Sequence, residues 1–117
     1  MKRDIDLLRN ILLDAESNGH LGLPGEHTPE EIAEHVQQLL EAGLVEGQVV
    51  RNKVGILIGS AIIRLTAAGH DFLDATRNPS LWTKTKGYVT KNLPEWTLSI
   101  VKDVAERVLK GEIHLGH

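Results

Sequence analysis

Two hydrophobic periodicities divide the chain. In residues 3–17, Ile5, Leu8, Ile11, Leu12 and Ala15 recur at three- and four-residue steps, which predicts an amphipathic helix with one buried stripe. "SNGHLGLPGEHTPEE" interrupts it with Gly19, Gly22, Pro24 and Gly25, and a short extended piece around His20–Leu23 fits there. A second helix starts at Thr28: the hydroxyl caps, Pro29 suits the first helical position, and Glu31 stands where a capping-box acid belongs. Its period places Ile32, Ala33, Val36, Leu39 and Leu40 inward, with Glu30, Glu31, Glu34, His35, Gln37, Gln38 and Glu41 outward. Gly43 is its predicted left-handed stop.

From Leu44 onward valine and isoleucine dominate, and turn residues interrupt the run. This predicts a two-stranded hairpin, 44–51 with 56–66, turning near Asn52–Gly55 or at Gly59–Ser60. Thr66 then caps a third helix, "AAGHDFLDATR", with Phe72 and Leu73 inward. Asn78–Pro79 opens a short helix carrying Trp82. A last helix from about Pro94 to Lys110 carries the stripe Trp96, Ile100, Val101, Val104, Ala105, Val108 and Leu109, and Gly111 ends it. The predicted class is mainly α with a small β-hairpin, an α+β protein without internal repeats.

With 117 residues the chain suffices for one domain with a modest core. No apolar run approaches the roughly 18–20 residues that cross a bilayer, so no membrane partner is expected. "MKRDIDLLRN" is charged within its first turns, unlike a signal peptide. The absence of cysteine excludes disulfides, thiolate metal sites and a cysteine nucleophile, and agrees with an expected cytoplasmic location.

The net charge of −3 argues against general affinity for nucleic acid, but the charges are segregated. No lysine or arginine lies between Arg9 and Arg51, a span holding eight acids from Asp14 to Glu46. Residues 47–70 reverse the sign with Arg51, Lys53 and Arg64, and residues 77–94 add Arg77, Lys84, Lys86 and Lys91. Such segregation bears on partners more than on fold.

"HVQQLLEAGLVEG" followed by "IIRLTAAGHDFLD" resembles the winged-helix pattern: a helix ending in Leu-x-x-x-Gly-Leu-Val, two wing strands, and a closing Leu-Thr-x-x-Gly-x-x-Phe-Leu. "MKRDIDLLRNILL" and "SLWTKTK" extend the likeness, and the whole chain resembles the bacterial and phage domain-of-unknown-function family numbered 2513. The resemblance implies a winged helix and a phage or prophage setting, and brings no established activity. It implies a winged-helix domain over 1–77 and a C-terminal helical extension over 78–117, packed on it or on a second chain, as one structural domain overall. One departure stands out. The short positioning helix that precedes a recognition helix falls on "GHLGLPGEHT", whose glycines and proline reduce it to a turn.

The resemblance and the charges frame two functional expectations. In one, the protein is a DNA-associated regulator: Gln37 and Gln38, with His35, read base edges, while Arg51, Lys53, Arg64, Lys84, Lys86 and Lys91 meet duplex phosphates. In the other, it binds protein and not DNA, either engaging a host protein through its acidic helix or serving as a dimerisation adaptor. Glutamates on the docking helix oppose the first expectation. The stripe of the last helix, with Trp96, Ile100, Val101, Val104 and Val108, must fold back or pair with a second chain, and a homodimer is expected.

Catalytic and metal chemistry find less support. Glu31 and His35 share a helix face and "EIHLGH" supplies His114 and His117, but neither set completes a metal-site pattern. His70 reads as a partly buried structural residue. "GILIGS" has a phosphate-loop look, yet no helix follows directly, so a hairpin explains it better. No nucleophile elbow or phosphate loop occurs, so a non-enzymatic protein without cofactor or metal is expected. Trp82, Tyr88 and Trp96 serve either a core or an interface.

Overall fold

The computed structural model describes residues 4–17, 27–93 and 95–111. The architecture is α+β: helices α1 (Ile5–Glu16) and α2 (Pro29–Glu41), strands β1 (Val45–Arg51) and β2 (Leu57–Leu65), then helices α3 (Ala67–Thr76), α4 (Pro79–Asn92) and α5 (Leu98–Leu109). The region of the expected extended piece and reduced positioning helix, 18–26, lies outside the described residues. No described helix is long and apolar enough to cross a membrane.

The ends of α2 follow from its sequence. The Thr28 hydroxyl accepts from the Glu31 amide at 3.2 Å, and Pro29 begins the helix. At the other end Gly43 adopts φ 74°, Leu44 N–H donates to the Leu39 carbonyl, and Gly43 N–H donates to that of Leu40. Those two bonds make a Schellman stop and turn the chain directly into the hairpin. Ala33, Val36 and Leu39 are buried, whereas Ile32 and Leu40 are only half-buried flanks of the stripe. In α1 the buried set is Ile5, Leu7, Leu8, Ile11 and Leu12; Leu7 joins the expected residues and Ala15 is half-buried.

The strands pair antiparallel, Val45 with Leu65 at the base and Arg51 with Leu57 near the apex. The turn spans Asn52 to Ile56: Asn52 N–H donates to the Ile56 carbonyl, and the Asn52 side chain accepts from the Val54 and Ile56 amides. Gly55 supplies φ 88° there, while Gly59 and Ser60, the other expected turn, lie within β2. Both α1 and α2 pack on the hairpin, where Leu44, Val45 and Leu65 join the core.

Two compact units result, Met1–His70 and Asp71–His117. The division falls inside α3, and the two ends of that helix have different local partners. A Cβ on Gly69 would lie 2.1 Å from the Leu44 carbonyl oxygen, so the first turn of α3 is held close against the hairpin base. Farther along, Phe72 meets Trp82 edge-on at 6.2 Å.

In the second unit α4 is 14 residues long, where the sequence suggested a short helix. Asn78 caps it, and threonine hydroxyls bond back along it, Thr85 to the Leu81 carbonyl and Thr90 to that of Lys86. The last helix begins at Leu98, not near 94, because Thr97 caps it by accepting from the Ile100 amide. Trp96 therefore precedes α5 and does not belong to its stripe. α4 and α5 pack together, and Gly111 follows the last helix with φ 75°.

Leu39 is wholly buried and Leu40 is not, so truncation should separate them. Leu39→Ala is expected to destabilise by about 2–5 kcal/mol and Leu40→Ala by clearly less in denaturant unfolding. Equal midpoints for the two variants would show that the phase of α2 is misassigned.

Candidate functional site

The expected base-reading face of α2 is broken at its centre. His35 is only 1% exposed, against the expectation that it points outward. Its Nε2 accepts from the Asp4 amide at 2.9 Å, and its Nδ1 donates to the Glu31 carbonyl at 2.7 Å. A ring with both nitrogens engaged inside the protein cannot reach a base edge. The half-buried Gln37 uses its amide to donate to the exposed Glu41 carboxylate at 3.2 Å. Gln38 is likewise half-buried, and Glu30 is exposed. The accessible chemistry of α2 is thus anionic.

The basic residues of the hairpin do not form one phosphate-binding set. Arg64 is ion-paired with Glu46 across the strands, which neutralises its charge locally. Arg51 donates to the Gly55 carbonyl at 2.9 Å, so its guanidinium stays at the apex, and Lys53 is exposed beside it. Around them lies an apolar surface that charge counting does not reveal. Val54 is 77% exposed, Ile56 56%, Ile63 79%, and Val50 and Ile58 are nearly half exposed. Two bulges in β2 explain Ile58 and Ile63: each is the extra residue between successive cross-strand pairs. A bulge re-aims a side chain that regular alternation would turn inward.

In the second unit Lys84 and Lys91 are exposed on α4. Lys86 instead lies over the Trp82 ring, 5.8 Å from its centroid. Trp82 is buried, and Tyr88 and Trp96 are half-buried, so these aromatics do not form an open stacking platform. Val101, Val104, Ala105 and Val108 are buried within the single chain, and Ile100 is half-buried. Their cover is already supplied without a second copy. Leu109 remains exposed at the end of the helix.

A cluster that sequence reasoning missed joins the starts of α1 and α2. His27 is mostly buried between two carboxylates, with Nδ1 3.1 Å from Glu31 and Nε2 3.7 Å from Asp4. Asp4 caps α1 by accepting from the Leu7 amide. The hydrogen bond from His27, then its charge and the bonds to Thr28, hold the Glu31 carboxyl below its ordinary value against the opposing effect of burial. Only the Thr-Pro-x-Glu cap was visible in the sequence; the partners of His27 and His35 at Asp4 are not local. Among the described residues no group of three or more histidines and acids could hold a metal ion. His114 and His117 lie outside the described residues, and His70 is exposed at the surface of α3 rather than partly buried.

Comparison with known proteins adds kinship without chemistry. The family described as "Hypothetical protein (DUF2513)" matches residues 2–93. An uncharacterized protein of Haemophilus influenzae is 33% identical over 116 residues, covering 93% of this chain and 96% of that relative. No solved structure matches the chain.

Two substitutions test the cluster. Replacing His35 by Leu strands the Asp4 amide and should lower stability by about 1–3 kcal/mol in chemical unfolding. His27→Gln should raise the Glu31 pKa toward its ordinary value, read by carbon NMR of the carboxyl group. Glu31's depressed folded-state pKa gives a stabilising contribution present above its unfolded value and lost as pH falls through the folded one. An unmoved Glu31 titration in His27→Gln would refute the bridge.

Proposed function

Since the chain belongs to the DUF2513 family, we propose that it is a non-enzymatic winged-helix protein that binds protein through the outward face of its hairpin. In this reading α2 occupies the recognition-helix position and β1–β2 is the wing. The observation that carries the proposal is the exposed aliphatic set Val50, Val54, Ile56, Ile58 and Ile63 on one short hairpin. Contiguous exposed apolar surface of this kind marks interaction sites, whereas isolated exposed aliphatics do not. The anionic surface of α2 supports the same reading, since glutamates facing phosphates oppose the ion release that drives binding to DNA.

A second reading rests on Arg51 and Lys53. They are exposed at the apex of a hairpin that has no acid from Gly47 to His70. A DNA-associated regulator would use that apex first, with Lys84 and Lys91 as further phosphate contacts.

A titration of duplex DNA at several salt concentrations discriminates between the two. The protein-binding reading expects no measurable affinity near physiological salt, in the wild type and in Arg51→Glu/Lys53→Glu alike. The DNA reading expects binding that weakens with salt, and a log–log salt slope shallower by about 2 in the double variant. Such a slope change would overturn the proposed assignment of the hairpin.

A further inference from the structure

The geometry points to a second copy of this chain as the occupant of the hairpin's outward face, in an antiparallel, two-fold arrangement of hairpins. This rests on the protein-binding reading above and names its partner. The outward surface is built from both strands. Val50 comes from β1, and Ile58, Ala61 and Ile63 come from β2, all exposed. The inner residues Val45 and Leu65 are buried, so the hairpin is covered on one side and bare on the other. Sheet faces cover such surfaces by packing about 10 Å apart.

Charge selects both the partner and its direction. The apex carries Arg51 and Lys53 with no acid nearby in sequence. At the base, Glu46 is paired with Arg64, and Glu41, exposed at the end of α2 four residues before β1, adds a negative charge. The hairpin and the helix end that leads into it thus present both signs, separated by about 20 Å for seven residues of strand. In a parallel pair the two cationic apices would meet. In an antiparallel pair each apex lies over the partner's acidic base. Like ends then stand farther apart than the screening length of about 8 Å at physiological salt. A two-fold axis supplies both apex–base contacts at once, as an isologous interface does. An anionic membrane or a duplex would engage only the apex and would be repelled by Glu41 and Glu46.

The test uses sedimentation velocity of the full chain over a micromolar concentration series. A reversible monomer–dimer equilibrium is expected. Ile58→Asp/Ile63→Asp should raise the dissociation constant at least about 30-fold, as loss of a central apolar anchor does, with an unchanged circular dichroism spectrum. Both side chains are exposed, and Val54→Asp/Ile56→Asp gives a second variant should the first unfold. Direction is tested by mixing. Arg51→Glu/Lys53→Glu gives two acidic ends, and Glu41→Lys/Glu46→Lys gives two basic ends, so each alone should dimerise more weakly than the wild type. Mixed in equal amounts they should form a heterodimer that added salt weakens.

A wild type that stays monomeric, a dimer indifferent to Ile58 and Ile63, or a mixture that does not associate each overturns the proposal. Pelleting of the monomer with vesicles of phosphatidylglycerol, lost in Val54→Asp/Ile56→Asp, would assign the face to lipid instead. The wider reading fails separately: only salt-dependent duplex binding through Arg51 and Lys53 removes it, whereas a monomer that ignores DNA removes self-pairing alone.

Discussion

The Thr66 hydroxyl donates to the Gly43 carbonyl at 2.6 Å and accepts from the Gly69 amide at 3.1 Å. The Thr66 amide also donates to the Leu44 carbonyl at 3.0 Å. One residue therefore ties the end of α2 to the close of the hairpin and to the first turn of α3. Gly43 can provide that carbonyl because it takes a left-handed φ, and Gly69 can approach because it lacks a Cβ. Leu44, Val45 and Leu65 pack beneath the junction and are buried. The segments Gly43-Leu44-Val45 and Leu65-Thr66-x-x-Gly69 are the two halves of this one contact. They lie about twenty residues apart because a whole hairpin must leave and return between them.

What could be read from the chain is the local half of such contacts. Thr28, Gly43, Asn78 and Gly111 act within a few residues of themselves, as does the bond from the Gly69 amide to Thr66, so the limits of α2, α3, α4 and α5 at those positions are visible as caps and stops, whereas the bonds of Thr66 to Gly43 and Leu44 are not. The start of α5 differs from the expected one because the apolar period runs back through Trp96, and period alone does not show that Thr97 is extended. His35 departs from its expected outward position for a different reason. Its acceptor role serves Asp4, 31 residues earlier, and no local pattern announces that the amide of the residue capping α1 needs a ring nitrogen. A histidine on the polar side of a helix reads as solvated until its distant donor is known.

The hairpin's surface was hidden by register. Strict alternation assigns half of Leu57–Leu65 to the interior, and a sequence rich in isoleucine then looks like a buried strand. The bulges at Glu46/Gly47 and Val50/Arg51 break that alternation and leave Ile63 and Ile58 unpaired and exposed. Gly47 belongs to the first of these breaks: a Cβ there would lie 2.2 Å from the Ala61 carbonyl oxygen. The glycine thus permits a close crossing of strands beside the bulge that exposes Ile63. The hairpin's basic residues were legible, its aliphatic face was not, and the two readings of function divide along that line.

The acids of α2 are not all alike in origin. Glu30 and Glu31 lie in its first turn, where the helix dipole favours negative charge, and Glu31 also meets His27. Their presence has a sufficient local reason. Glu41 stands at the opposite end, where the dipole disfavours a carboxylate, and the last turn holds no basic residue. Its contact with Gln37 is exposed and neutral on one side, which offsets little of that disadvantage. Glu46 is held by Arg64, yet both remain largely open to water. The charge of Glu41 therefore works against local helix stability, while the apex, one strand's length from the hairpin base, carries Arg51 and Lys53. A surface polarised along its own long axis, with a bare aliphatic strip between the poles, has its natural complement in the same surface reversed.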